Sequence, residues 1–241
     1  MERYYEVGSS NREDKPFTEK LQQMAKDTLR RNKNYEPVLV EVNSRNICKS
    51  WWGEAWCLNL ERYADWENRI ERGKNYLLIG AVVDLKINGG EIISRVQGAW
   101  RNPYIVKITI NPIDKRNRTR IERQATGKIQ NLEALLNGTF PDDLKELFFQ
   151  RNGLFPSPRE IHFNCNCPDW ANMCKHVAAA LFAIGVKLDS NPLYFFQMRN
   201  IDVEEFVAKL IGSKVETMLK KATRTTPRVM KDADLTQLFG I

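Results

Sequence analysis

The sequence predicts an α+β chain: an N-terminal antiparallel β-meander with flanking helices, followed by a mostly helical region that carries a compact cysteine and histidine cluster. Three observations predict it. Between 77 and 110 apolar residues alternate with polar ones around Asn88-Gly89-Gly90, the period of half-buried strands joined by a tight hairpin. On both sides the apolar residues recur instead at helical spacing. Four of the chain's seven cysteines and histidines fall within the twelve residues from Cys165 to His176. We divide the chain into a lead-in and amphipathic helix (1–35), an α+β domain built on the meander (36–140), a helical region (141–222) with the Cys/His segment at about 160–186, and a tail (223–241). The boundary between the two main regions falls between Gly138 and Pro158.

Residues 1–16 are polar and read as a loose lead-in. Phe17, Leu21, Met24, Ala25 and Leu29 then mark one face of a helix ending at Arg31, and Pro37 to Val42 reads as a strand. Ser50 is the expected N-cap of a helix carrying Trp51, Trp52, Ala55, Trp56, Leu60 and Tyr63, because its hydroxyl can accept from an unsatisfied first-turn N–H. Three tryptophans so close together suit either core packing or base stacking; large aromatics at helical spacing favour the core.

In the sheet, Leu77, Ile79, Ala81, Val83, Leu85 and Ile87 form the apolar face of a first strand, with Asp84 and Lys86 on the other. The return strand runs from Ile92 to Gly98, and a third uses Tyr104, Val106, Ile108 and Ile110 as its apolar face. Lys86, Lys107 and Thr109 fall on the polar face, with Arg95 and Gln97 joining them in one register. Asp114 to Leu136 reads as a long helix, basic in its first half and apolar in its second, stopped at Asn137-Gly138. A short helix from Pro141 to Phe149 and a linker from Gly153 to Pro158 lead into a strand, Glu160 to Asn164, that delivers Cys165.

Cys165, Cys167, Cys174 and His176 form a C-x-C-x(6)-C-x-H array, which we read as a site for one structural zinc ion. Zinc is held tetrahedrally by thiolate and imidazole, and three cysteines with one histidine fill that shell. Ligands at i and i+2 point to the same side of an extended chain, about 6 to 7 Å apart. Pro168 and Asp169 turn the chain back, and the second pair opens a helix from Val177 to Ala183, interrupted by Gly185. The helix N-terminus and Lys175 favour the negative charge of three thiolates. His162, three residues before the first ligand, reads as structural. Past the cluster, an apolar stretch from Asn191 to Arg199 covers this helix, followed by helices at Val203 to Ile211 and Lys214 to Lys221. Asp234 to Phe239 is the size of a docking peptide.

The array resembles the SWIM zinc finger, whose pattern is C-x-C-x(n)-C-x-H. The words Cys167-Pro168-Asp169-Trp170-Ala171 and Cys174-Lys175-His176-Val177-Ala178-Ala179 resemble its bacterial branch. So do Trp51-Trp52-Gly53-Glu54-Ala55-Trp56, and Arg95-Val96-Gln97-Gly98 followed by Pro103-Tyr104. The resemblance implies that Cys165, Cys167, Cys174 and His176 are the zinc ligands. It also implies binding to DNA or to proteins, and a place alongside a Swi/Snf-type helicase ATPase.

Charge points the same way. The chain carries 37 Lys and Arg against 30 Asp and Glu, a net +7. Residues 101–130 alone hold Arg101, Lys107, Lys115, Arg116, Arg118, Arg120, Arg123 and Lys128 against only Asp114 and Glu122. With Lys175, these eight are the candidate nucleic-acid contacts, held to phosphate without much base preference. No glycine-rich phosphate loop, acyl-transfer triad or clustered carboxylates are evident, and the zinc shell leaves no open position, so we expect a non-catalytic protein. The alternative is a purely protein-binding adaptor, and a redox sensor built on the same thiols is a third reading. The apolar run from Val177 to Val186 is too short to span a bilayer and the N-terminus is not signal-like, so a cytoplasmic location is expected, with Cys48 and Cys57 as thiols in or near the core.

Overall fold

The structure is a computed structural model that describes residues 15–40, 46–60, 67–125, 145–150, 153–209 and 212. It is a mixed α/β arrangement in which a four-stranded antiparallel sheet packs one face against a buried helix. The elements are α1 (Lys15–Arg31), α2 (Trp51–Asn59), α3 (Glu67–Leu78), β1 (Val82–Asn88), β2 (Glu91–Val96), β3 (Tyr104–Ile110), α4 (Lys115–Ala125), α5 (Lys145–Phe149), β4 (Ile161–Cys165), α6 (Lys175–Ser190) and α7 (Tyr194–Met198). A further helical stretch covers 203–209.

The hairpin forms where the sequence places it. Asn88 pairs with Glu91 across Gly89-Gly90, and Gly89 takes φ +57, the left-handed conformation that such a turn requires and glycine adopts without a steric penalty. The sheet order is β1-β2-β3-β4. The fourth strand corrects the expectation of a sheet confined to the N-terminal meander, because β4, from the helical region, pairs directly with β3, Ile161 opposite Ile110 and Cys165 opposite Val106. Polar backbone along the edge of β3 would otherwise lie open.

A second correction concerns the start of β1. Leu77 and Ile79 were expected on the strand, but Leu77 lies in α3. The helix ends in a Schellman turn: Gly80 has φ +75, its N–H donates to Leu77 O, and the Ala81 N–H donates to Tyr76 O. The strand therefore begins at Val82. Asp84, expected on the wet face, is fully buried; its carboxylate accepts from Glu36 N at 3.0 Å and pairs with Arg95 at 2.5 Å. At the start of the expected strand Pro37 to Val42, residues 36–38 run along the free edge of β1 through two hydrogen bonds, Val38 N to Val82 O and Leu85 N to Glu36 O. Residues 41 and 42 lie outside the described residues.

The centre of the core is α6. It is buried without a break from His176 to Gly185 and again at Leu188, the pattern of a helix covered on all sides. The sheet's inner face, α2, α3 and α7 supply the cover. Gly185 does not interrupt it: a Cβ there would lie 2.9 Å from Cys57 Sγ and 3.0 Å from Cys48 Sγ, so the glycine lets α2 approach. Those two thiols face each other at 3.4 Å. The Ser50 hydroxyl caps α2 as expected, accepting from Gly53 N. Trp52 and Trp56 are buried and donate from Nε1 to Leu188 O and Leu181 O of α6, while Trp51 stacks edge-on against Phe148. The tryptophans are core residues. In α7, Phe195 and Phe196 are buried over the same core, as expected of the apolar stretch there.

Of the long basic helix, Lys115 to Ala125 is described, with Asp114 accepting from Asn117 N at its start. Its second half, the Asn137-Gly138 stop, the helix at Lys214 to Lys221, residues 1–14 of the lead-in and the C-terminal turn lie outside the described residues, while Lys15 and Pro16, expected in the lead-in, open α1.

Candidate metal centre and basic surfaces

The metal centre forms where the end of β4 meets the first turn of α6. Cys165 is the last residue of β4 and is fixed by its pairing with Val106. The next residue extends the ladder, since Asn166 donates its N–H to Ile105 O and its side-chain oxygen accepts from Ile105 N. Beyond Cys167, Asp169 closes a turn by accepting from Ala171 N and pairs with Arg69 of α3. Burial pushes the Asp169 carboxyl up, but these two partners outweigh it and hold it below its ordinary value. Cys174 is the N-cap of α6, its sulfur accepting from Val177 N, and His176 is the second residue of the helix's first turn.

The four donor atoms of Cys165, Cys167, Cys174 and His176 lie within 4.8 Å of one another. His176 Nδ1 stands 4.0 Å from Cys165 Sγ and 3.9 Å from Cys174 Sγ. A tetrahedral zinc ion with ordinary bond lengths needs sulfurs about 3.8 Å apart and nitrogen about 3.5 Å from each. The two nitrogen–sulfur distances exceed that shell by about 0.5 Å and no pair of donors exceeds it by more than about 1.3 Å, within reach of small side-chain rotations. The sulfurs also interact with one another: the Cys174 thiol is lowered to about 4, first by its hydrogen bond with Cys165 and then by those with His176 and Val177 N, against the opposing effect of burial, while burial first raises Cys167. Cys165, the partner in the first of those bonds, is raised correspondingly.

His176 is held by aromatic rings. Tyr104 lies 4.4 Å away between centroids and Tyr76 meets it edge-on at 5.4 Å. Its Nε2 is buried and has no hydrogen-bond partner among the described residues, whereas a ligating histidine ordinarily donates to an oxygen there. Gly98 leaves room for the arrangement, since a Cβ would sit 2.4 Å from Tyr104 Cε2 and 3.2 Å from His176 Nε2. His162 is exposed on the opposite face of β4, paired with Thr109, and takes no part. Trp170, at the tip of the loop, is 98% exposed.

The expected phosphate contacts do not form one patch. Lys175 is half-buried with its Nζ 5.4 Å above the Tyr76 ring, and burial first, then Arg72, lower its pKa. Arg101 lies in the β2–β3 loop at the metal end of the sheet. Lys107 is on the outer face, paired with Glu91 at 2.9 Å. Lys115, Arg116, Arg118, Arg120 and Arg123 are on α4, which leaves from the far end of β3, about 20 Å from the metal end for a seven-residue strand. There Arg118 bridges Glu122 at 3.1 Å and Glu205 at 2.8 Å. Lys128 lies outside the described residues.

Sequence reasoning missed a second basic site. Between α1 and the sheet, Arg31, Arg95 and Arg101 line a cleft of about 470 Å³ with Tyr35, Pro103 and Ile105. Its forewarnings were Arg101 among the expected contacts and the alternation that put Arg95 on the polar face; Gln97, assigned to that face with it, is fully buried, bonded to Thr28 of α1.

Fold and site together define a mixed α/β protein with a closed three-cysteine, one-histidine cluster positioned to hold one metal ion, compatible with a zinc finger. Among known proteins, the chain is similar to a Mycobacterium tuberculosis protein described as "Uncharacterized protein Rv2102", 30% identical over 172 residues that cover 70% of this chain and 62% of that protein. The chain therefore matches less than two thirds of that relative's length. No family model matches, and neither does any solved structure. Among the described residues, no helix is long and apolar enough to cross a membrane.

Proposed function

We propose that the chain is a non-catalytic zinc-binding module of the SWIM type that binds nucleic acid, DNA rather than RNA, as an accessory factor to a Swi/Snf-type helicase. The observation that carries the reading is the closed donor set. Four ligands from two layers of the fold converge within 4.8 Å, and three thiolates with an imidazole leave no coordination position for a substrate. Bound zinc would supply cross-linking between β4 and α6, on the order of 10 kcal/mol of folding free energy in small zinc domains. The net +7 charge and the words shared with bacterial SWIM proteins support the nucleic-acid role.

The test joins metal and binding. Elemental analysis should return one zinc per chain, and Cys174→Ser should lose it. Gel shifts with DNA and RNA at about 50 and 200 mM salt should show DNA binding that falls steeply with salt, because each neutralised phosphate releases counterions. A chain without zinc, or no binding at low salt, refutes the corresponding half. Trp170, exposed at the tip of the metal loop, favours a second reading, a protein adaptor. Co-purification with an ATPase that survives nuclease treatment would select it.

A further inference from the structure

From the cleft between α1 and the sheet, we infer that Arg31 and Arg101, flanking the Asp84-paired Arg95, grip the backbone of single-stranded nucleic acid, and that α4 does not. The inference rests on the nucleic-acid reading above and assigns that reading its surface.

Three guanidinium groups converge on one concavity of about 470 Å³, and no carboxylate lines it. Asp84, which pairs with Arg95, is buried and does not line the cleft. Among the described residues Arg31 donates to neutral oxygens, Thr28 Oγ1 at 3.1 Å and Arg101 O at 3.3 Å, and has no ion pair. Arg101 is exposed and has no ion pair among the described residues. Guanidinium forks match phosphate oxygens in pairs. By contrast Arg118 on α4 is engaged by Glu122 and Glu205, and Lys209 bridges the same two acids at 3.7 and 2.6 Å.

The cleft is built before any ligand arrives. Thr28 Oγ1 donates to Gln97 Oε1 at 2.7 Å, and Gln97 Nε2 donates to Gly98 O and Trp100 O, fixing helix, strand and loop together. Arg95 lies 5.0 Å from the Tyr35 ring centroid, which holds its guanidinium in place.

The other wall is apolar. Pro103 and Ile105 line the cleft, and Ile105 is 47% exposed. Trp100, one residue before Arg101, is 68% exposed. A duplex hides its base faces and would leave this wall uncovered, whereas an unpaired strand can set bases on it while its phosphates face the arginines.

The experiment uses fluorescence anisotropy of the full zinc-loaded chain with a 15-nucleotide oligodeoxythymidylate and with a duplex, from about 50 to 200 mM salt. Arg31→Gln with Arg101→Gln should weaken single-strand binding about tenfold or more. It should also flatten the slope of log affinity against log salt by about 1.4, at roughly 0.7 per lost contact. The charge-matched pair Arg116→Gln with Arg123→Gln, on the exposed face of α4, should change affinity less than about twofold. Zinc content and circular dichroism establish that both variants fold; if the cleft pair does not, Arg101→Gln alone should give about half the slope change. Equal losses from both pairs, or a preference for the duplex, overturn the cleft assignment and leave nucleic-acid binding standing. No binding of either probe by the unaltered chain overturns both.

Discussion

Replacing Gly73 with alanine tests how closely the two helices that flank the metal centre are packed. In an exposed helix this substitution stabilises, because alanine is the better helix former by about 1 kcal/mol. Here Gly73 of α3 lies against α6, and a Cβ would stand 2.3 Å from Ala178 Cβ, 2.8 Å from Ala179 N and 2.9 Å from Ala178 C. Two of these are backbone atoms of a buried helix, so no side chain can swing aside. Restoring ordinary contact requires the helices to part by about 1 Å, and overpacking of this kind costs about 1 to 3 kcal/mol. The expected net effect is a loss of up to about 2 kcal/mol. Ala178 is two residues beyond His176, so the shift should also displace the histidine and weaken zinc binding. Urea unfolding followed by circular dichroism reads the first effect, and competition with a chromophoric chelator reads the second. Asn75→Ala, on the exposed side of α3, is the control and should be neutral or slightly stabilising. A Gly73→Ala midpoint above that of the unaltered protein would refute the close-packing account.

Gly98→Ala should weaken zinc retention in the chelator competition with little loss of stability in the metal-free chain, since the new methyl group meets the Tyr104 ring and His176 Nε2 and not backbone. Trp56→Phe removes the donor to Leu181 O at 2.8 Å from a fully buried position, and should cost about 1 to 3 kcal/mol in urea unfolding. The buried Arg199 pairs with Glu160 at 2.5 Å. Burial pushes the Glu160 carboxyl up, yet its bonds from Arg199 and Ser157 outweigh this and leave it below its ordinary 4.5. A carboxylate lowered on folding stabilises above its unfolded value and loses that contribution as pH falls through the folded one. The stability advantage of the unaltered protein over Glu160→Gln should therefore be full near about pH 6 and shrink below about pH 4.5; a gap that widens with acid would contradict the pairing.

What the sequence revealed follows from how local each signal is. The hairpin at Gly89, the Ser50 cap and the metal array depend on residues a few positions apart, and each stands where it was read. Helix α3 was missed because Leu77 and Ile79 happen to continue the parity of the strand after them. The signal that separates them is Gly80, whose positive φ ends the helix. Asp84 looked solvated because alternation reports a face but not what covers it; the cover comes from Glu36 and Arg95, distant in sequence. The run of positive charge from Arg101 to Arg123 was contiguous only along the chain. Strand β3 carries its two ends to opposite sides of the sheet, and the cleft draws instead on Arg31, seventy positions from Arg101.

The pairing of β4 with β3 has a practical consequence for anyone who would cut this protein into parts. A peptide covering 160–186 would contain all four ligands, yet Cys165 would lack the neighbouring strand that sets its direction and the helix bearing His176 would have neither Trp56 nor Gly73 to rest against. Such an excised piece should bind metal loosely and without a unique shape. Among the described residues, the strand and the helix that carry the ligands are each stitched to partners from the first half of the sequence.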